Sequence, residues 1–155
     1  MLPIPVQRFA RRAALASPPI VLALAILAVT SYRASTREEA AALLDTGKTV
    51  LGQTFSYPTS APAKVTAAIV TMLPGEATGW HKHDVPMFGY ILEGEVTVDY
   101  GPAGTRVYRA GDALVEAIDW EHNGRNTGGG NARILAVFMG AEGVPNTVLL
   151  NKTPQ

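Results

Sequence analysis

The residues best placed to do chemistry together are three histidines, and the chain has no others. His81 and His83 alternate in a His-Lys-His triplet, so on an extended strand both side chains emerge on one face. His122 lies in a separate stretch, and a third imidazole arriving from another strand would complete a set of three nitrogen ligands. We therefore predict a metal site formed by His81, His83 and His122, with positions left open for water or substrate.

Glycines and an asparagine surround the histidines at regular spacing. The first stretch has Gly75, His81, His83 and Gly94, and the second has Gly111, His122 and Asn126. This spacing resembles the two sequence motifs of the cupin superfamily, and in the second motif Ala117 and Asp119 replace the usual proline and glycine. The resemblance implies a small cupin barrel over residues 50–141, and it implies that such barrels commonly pair as dimers through edge strands.

The glutamate of the first cupin motif is missing from this sequence. Its position falls on Met87 or Phe88, depending on the spacing the family allows. The resemblance therefore implies the three-histidine form of the cupin site, which in some members holds iron and supports dioxygen chemistry. Met87 shares the inward parity of the histidines, so it either fills space apolarly or approaches as a weak, soft ligand.

Other acidic groups are less suited to replace that glutamate. Asp84 neighbours His83 and would point away from it on a strand. Glu93 and Glu95 flank a turn and are interpreted as exposed charges. Three further candidates for an acid or base lie near the motifs only in the sequence, and no catalytic residue is assigned: Glu116, Glu121 and Tyr90.

Two sets of residues have alternative interpretations. Asn126 either orients an imidazole or is a turn asparagine that tolerates a left-handed backbone. Aromatic residues near the motifs either line a pocket for a flat organic ligand or, as is commoner in a small barrel, contribute to packing. These aromatic residues are Trp80, Phe88, Tyr90 and Trp120.

Alternating apolar residues and glycine-rich turns predict an all-β fold, an antiparallel jelly roll or barrel. The predicted strands cover residues 53–57, 64–73, 78–83, 87–92, 96–100, 105–109, 113–117, 122–126 and 132–139. Residues 142–155 are predicted to be a C-terminal tail. No internal repeat indicates a second barrel.

The N-terminal region predicts export. Arginines precede an uncharged, largely apolar stretch at 13–32, which is predicted to be helical. This pattern predicts that residues 1–33 are a signal peptide or an uncleaved membrane anchor. Either one would send the barrel to the periplasm or another extracytoplasmic space. A capping-box pattern at Ser35 and Glu38 predicts a short amphipathic helix within a lead-in at 34–49. The membrane would be contacted only through the N-terminal segment.

Composition excludes several functions. The chain has no cysteine, which excludes disulfides, thiolate ligands and a cysteine nucleophile. Lysine and arginine total 13, as do aspartate and glutamate. Four of the arginines lie within residues 1–33, so acidic residues outnumber basic ones in the rest of the chain. No nucleic-acid partner is therefore expected.

Two functions from different classes fit these features. The first is an iron(II)-dependent dioxygenase of a small chelating molecule, whose negative charge would neutralise an ion held by three neutral imidazoles. The second is a non-catalytic cupin that binds a metal or a small ligand. Ligand type alone leaves zinc, manganese, nickel, copper and cobalt open beside the favoured iron.

Overall fold

The computed structural model describes residues 40–151, and within them the regular structure is almost entirely β. The strands are β1 Ala63–Met72, β2 His81–Lys82, β3 Met87–Glu93, β4 Glu95–Asp99, β5 Thr105–Arg109, β6 Ala113–Val115, β7 Asn123–Asn126, β8 Ala132–Ala141 and β9 Val148–Leu149. One 3₁₀ turn, Gly101–Ala103, connects β4 to β5. The predicted all-β class is confirmed for this part of the chain.

The strands form three antiparallel sheets, as alternating sequence patterns predict. Their orders are β1-β8-β3-β6, β5-β4-β7 and β2-β9. The long pair β1 and β8 aligns Ala63 with Ala141 and Met72 with Ala132. A buried cluster of side chains links the sheets: Met72, Val96, Val98, Tyr100, Ala117 and Ala132.

A glycine is required at the tight turn between β3 and β4. Gly94 has a φ of 78°, a conformation that residues with a Cβ rarely adopt. A Cβ at this position would lie 2.5 Å from the carbonyl oxygen of Asn131 and 2.9 Å from Cα of Ala132. The motif glycine therefore allows β3 and β4 to turn directly beneath the start of β8.

Asp119 occupies the place where the second motif usually has glycine, and its backbone explains that preference. Its φ of 50° lies in the left-handed region, which aspartate tolerates better than most residues with a Cβ. The backbone N–H of Asp119 donates to the carbonyl of His83 at 2.8 Å. This turn therefore connects the two motifs.

Several boundaries differ from the sequence prediction. The predicted strand at 53–57 is reduced to a bridge between Lys48 and Thr54, and the Gln53 side chain bonds the backbone of Ile118. The predicted strand at 78–83 is confined to His81–Lys82, and β9 was not predicted.

The predicted N-terminal elements lie largely before residue 40, outside the described residues. Residues 40–47, the described part of the expected lead-in helix, contain no helical turn. Within the described residues, no helix has the length and apolar character needed to cross a membrane.

Candidate metal centre

The structure brings the three predicted histidines together. His81 and His122 are bridged partners, since the N–H of each donates to the carbonyl of the other at 3.0 and 2.9 Å. His83 lies beyond β2, where it bridges Ile118. All three side chains are buried, and their candidate ligand nitrogens lie within 4.8 Å of one another. Imidazoles distant in the sequence therefore share one small volume.

Hydrogen bonds orient each ring for metal binding through Nε2. The Nδ1 atoms contact backbone carbonyl oxygens: His81 with Gly79 at 2.8 Å, His83 with Asn146 at 2.9 Å, and His122 with Trp120 at 2.9 Å. A carbonyl oxygen can only accept, so each Nδ1 carries the proton and each Nε2 keeps its lone pair. Such carbonyl partners typically fix the rings of metal-binding histidines.

The Nε2 atom of His83 is buried and has no hydrogen-bond partner within the described residues. Buried polar atoms are rarely left in this state, because losing water without a replacement partner is costly. A metal ion would satisfy this lone pair. The donor set of three neutral imidazoles thus fits a divalent transition metal.

Burial keeps these imidazoles neutral. Removal from water lowers the pKa of His81 and of His122, and it lowers the pKa of His83 to about 3. The neutral form is the one that binds metal. The cluster is therefore ready for an ion at neutral pH.

The histidines face a cavity of about 220 Å³ with mostly apolar walls. Met87 lines it, as its parity predicted, and Phe138 places its ring 5.4 Å from that of His83. The C-terminal residues Thr147 and Leu149 also contribute. The remaining apolar lining residues are Val70, Val96, Val98, Ile134 and Ala136.

None of the four aromatic residues considered in the sequence is among those lining this cavity. Trp80 and Trp120 line a separate surface cavity of about 240 Å³ together with Asp119 and Glu121. The nitrogen of the Trp120 ring donates to the carbonyl of Tyr100 at 3.0 Å. Phe138, which sequence analysis missed, is the aromatic residue on the wall.

The acidic candidates differ in whether they lie at the histidine cavity. Asp84 pairs with Lys82 at 3.4 Å, and Glu95 pairs with Arg109 at 2.9 Å. Glu93 and Glu121 are exposed. Glu116 alone among the acidic candidates lines the histidine cavity, although the sequence suggested it only by proximity.

Asn126 is a structural residue rather than a partner of the histidines. It is fully buried. Its Nδ2 donates to the carbonyls of Met72 and Gly130 at 2.9 and 2.8 Å, and its Oδ1 accepts from the N–H of Gly128 at 2.9 Å. Asn126 therefore ties β7 to β1 and to the following turn.

Replacing Asn126 with alanine is expected to reduce the free energy of unfolding by about 3 kcal/mol, because the buried amide loses three hydrogen bonds to the backbone of Met72, Gly128 and Gly130. Urea unfolding of the metal-free protein measures this change. The exposed Asn131 is the matched control, and Asn131→Ala should change stability by less than about 0.5 kcal/mol. Equal stabilities of the two variants would contradict the structural role.

Comparison with known proteins supports the resemblance noted in the sequence. Residues 68–138 match the family model described as Cupin domain. A search of curated proteins gives no significant match.

Among solved structures, the chain is similar to a formate complex of oxalate decarboxylase from Lactobacillus farciminis. The identity is 28% and the TM-score 0.50, over 56% of this chain and 27% of that one. It is also similar to the DMSP lyase DddQ from Ruegeria pomeroyi DSS-3, with 21% identity and a TM-score of 0.51, over 59% of this chain and 45% of that one. The chain therefore spans less than half the length of either protein.

The similarity to DddQ shows a shared fold. The family match at residues 68–138 includes both sequence stretches that contain the histidines. The three clustered histidines all lie within the matched residues. The chain thus contains a cupin domain at residues 68–138.

Proposed function

We propose that this chain is an exported, iron(II)-dependent dioxygenase that acts on a small chelating organic molecule. The observation that carries the proposal is the cluster of three buried imidazoles, each with an unprotonated Nε2, which line an apolar cavity. A bound metal ion would polarise a substrate oxygen and activate dioxygen. Iron(II) is the favoured ion, and zinc, manganese, nickel, copper and cobalt are the alternatives.

The protein side chains would bind and orient the substrate. His81, His83 and His122 would hold the metal in a fixed place, because backbone carbonyls lock their rings. Ile134 and Phe138 on the cavity wall would contact apolar parts of the substrate and exclude water. These features favour a chelating anion with an apolar body, such as an enolate, a diketonate or a flavonol.

Export and pairing complete the proposal. The basic and apolar N-terminal sequence supports export, with residues 13–32 as signal or anchor. The edge position of β1 supports a homodimer, because within residues 40–151 this strand pairs only with β8 and exposes Val65 and Ile69. Light scattering of the purified protein tests the dimer.

Oxygen consumption tests the catalytic proposal. Protein loaded anaerobically with iron(II) is mixed with β-diketones and flavonols, and oxygen uptake is compared with product formed. We expect uptake in proportion to product, and none from a variant in which all three histidines are alanine.

The contrasting outcome identifies a different class of protein. Chelators that raise the melting temperature of the iron-loaded protein without oxygen uptake would contradict the dioxygenase proposal. That result would indicate a cupin that binds a metal or a small ligand without turnover.

A further inference from the structure

A buried carboxylate lies beside the histidine cluster, just after β6. The Glu116 residue is 4% exposed and lines the same cavity as the histidines. Its Oε2 lies 4.0 Å from Nε2 of His122. Two atoms that bind one transition-metal ion at about 2.1 Å are at most about 4.2 Å apart. The carboxylate is thus within reach of an ion bound by His122, while it lies outside the group of three imidazoles whose ligand atoms are all within 4.8 Å of one another.

The strand register explains why a carboxylate occurs at this place. Phe88 of β3 pairs with Val115 of β6, and the N–H of Glu116 donates to the carbonyl of Met87 at 2.9 Å. Glu116 therefore lies across from Met87, and both side chains line the cavity. Met87 holds one of the two positions that the glutamate of the first cupin motif takes. The cavity thus has a carboxylate next to the usual place, contributed by the neighbouring strand.

The surroundings of Glu116 provide hydrogen-bond donors, and the cationic side chain that acts on it, Arg106, does so electrostatically without an ion pair. Oε1 accepts from the N–H of Ala117 at 2.7 Å, and Oε2 accepts from the hydroxyl of Tyr100 at 3.1 Å. In the described part of the chain, no lysine or arginine forms an ion pair with it. A buried carboxylate without a paired counter-charge is costly. A cation among the histidines would supply that charge.

We propose that Glu116 is the fourth protein ligand of the metal site, beside His81, His83 and His122. This inference rests on the metal binding proposed above. Tyr100 is then a positioning residue, because its hydroxyl bonds Oε2 while the hydroxyl of Tyr108 supports it at 3.1 Å. One negative charge from the protein leaves a divalent ion with a single positive charge to neutralise, so the matching substrate is a monoanionic chelator.

Titration of the metal-free protein with Co²⁺ tests this ligand. The affinity is measured by calorimetry, and the visible absorption of bound Co²⁺ reports its ligands. Glu116→Gln keeps the size of the side chain, and we expect it to weaken binding by at least about tenfold and to change the spectrum. Glu121→Gln, the same change at an exposed neighbour of His122, is the matched control and should alter neither.

Two further variants distinguish loss of a metal ligand from a folding defect in Glu116→Gln. Tyr100→Phe keeps the carboxylate but removes its donor, so a smaller loss of affinity is expected, about tenfold or less. Met87→Glu, introduced into Glu116→Gln, returns a carboxylate from the opposite strand and should recover Co²⁺ affinity.

The outcomes separate this inference from the proposed function. Wild-type affinity and an unchanged Co²⁺ spectrum in Glu116→Gln would overturn Glu116 as a ligand while leaving the three-histidine site intact. A wild-type protein that takes up no Co²⁺ would overturn both the inference and the proposed function.

Discussion

Replacing His83 with alanine is expected to lower the affinity for Co²⁺ by at least about 100-fold, because loss of a ligand should exceed the 10-fold to 100-fold cost of losing a supporting partner. His83 donates from Nδ1 to the carbonyl of Asn146 at 2.9 Å, and its buried Nε2 has no hydrogen-bond partner in the described part of the chain. The same loss is expected for His81→Ala and His122→Ala, since each supplies one equivalent nitrogen. Calorimetric titration of the metal-free proteins measures the three affinities.

Met87 provides the control for this series. It lines the cavity with the histidines, but a thioether is a weak ligand beside imidazole. Met87→Leu nearly conserves volume, so the Co²⁺ affinity should stay at the wild-type value. Equal affinities for wild type and all three histidine variants would show that the imidazoles do not share an ion. A large loss in Met87→Leu would assign a ligand role to the sulfur.

Acid is expected to destabilise the metal-free protein through the same histidines. A histidine in the unfolded chain titrates near pH 6.5, whereas burial lowers the pKa of His83 to about 3 in the fold. Between these values the unfolded chain binds a proton that the folded protein does not. Stability should therefore be complete above pH 6.5 and fall as the pH drops toward 3, by about 1.4 kcal/mol per pH unit from His83 alone.

The other two histidines act in the same direction, because burial lowers their pKa values as well. Urea unfolding of the metal-free protein between pH 7 and pH 4.5 measures the slope. His83→Gln removes the titrating ring, so its stability should depend less steeply on pH in this window. Parallel profiles for wild type and His83→Gln would mean that His83 does not resist protonation in the fold.

The histidine cluster was predictable because its signals are local. His81 and His83 alternate with period two, and glycines with positive φ at Gly75, Gly94 and Gly111 mark the turns around the motifs. Such patterns depend on backbone sterics within a few residues. Most strands, and the clustering of the histidines from the two motifs, can therefore be predicted from short stretches of sequence.

The residues around the cluster depend on contacts between distant strands, which explains why the sequence suggested Glu116 only by its proximity along the chain. Glu116 shares a cavity face with Met87 only through the pairing of β6 with β3. Its neighbours Val115 and Ala117 give no sign of a buried acid. An acidic residue on a predicted inner face is the signal that, with the correct register, would have identified it.

The C-terminal contribution was hidden for a different reason. β9 contains only Val148 and Leu149, too short for an alternating pattern, and it forms by pairing with β2. Asn146 acts through its backbone carbonyl, which bonds Nδ1 of His83. A backbone acceptor leaves no trace in the residue type, so only the folded chain places it beside the site.

Anomalous diffraction from crystals grown with Co²⁺ tests the central claim most directly, because it locates the ion itself. We predict one strong peak at about 2.1 Å from Nε2 of His81, of His83 and of His122. Crystals with a saturating concentration of Co²⁺ but no peak among these three atoms would contradict the account, as would an ion bound through Nδ1.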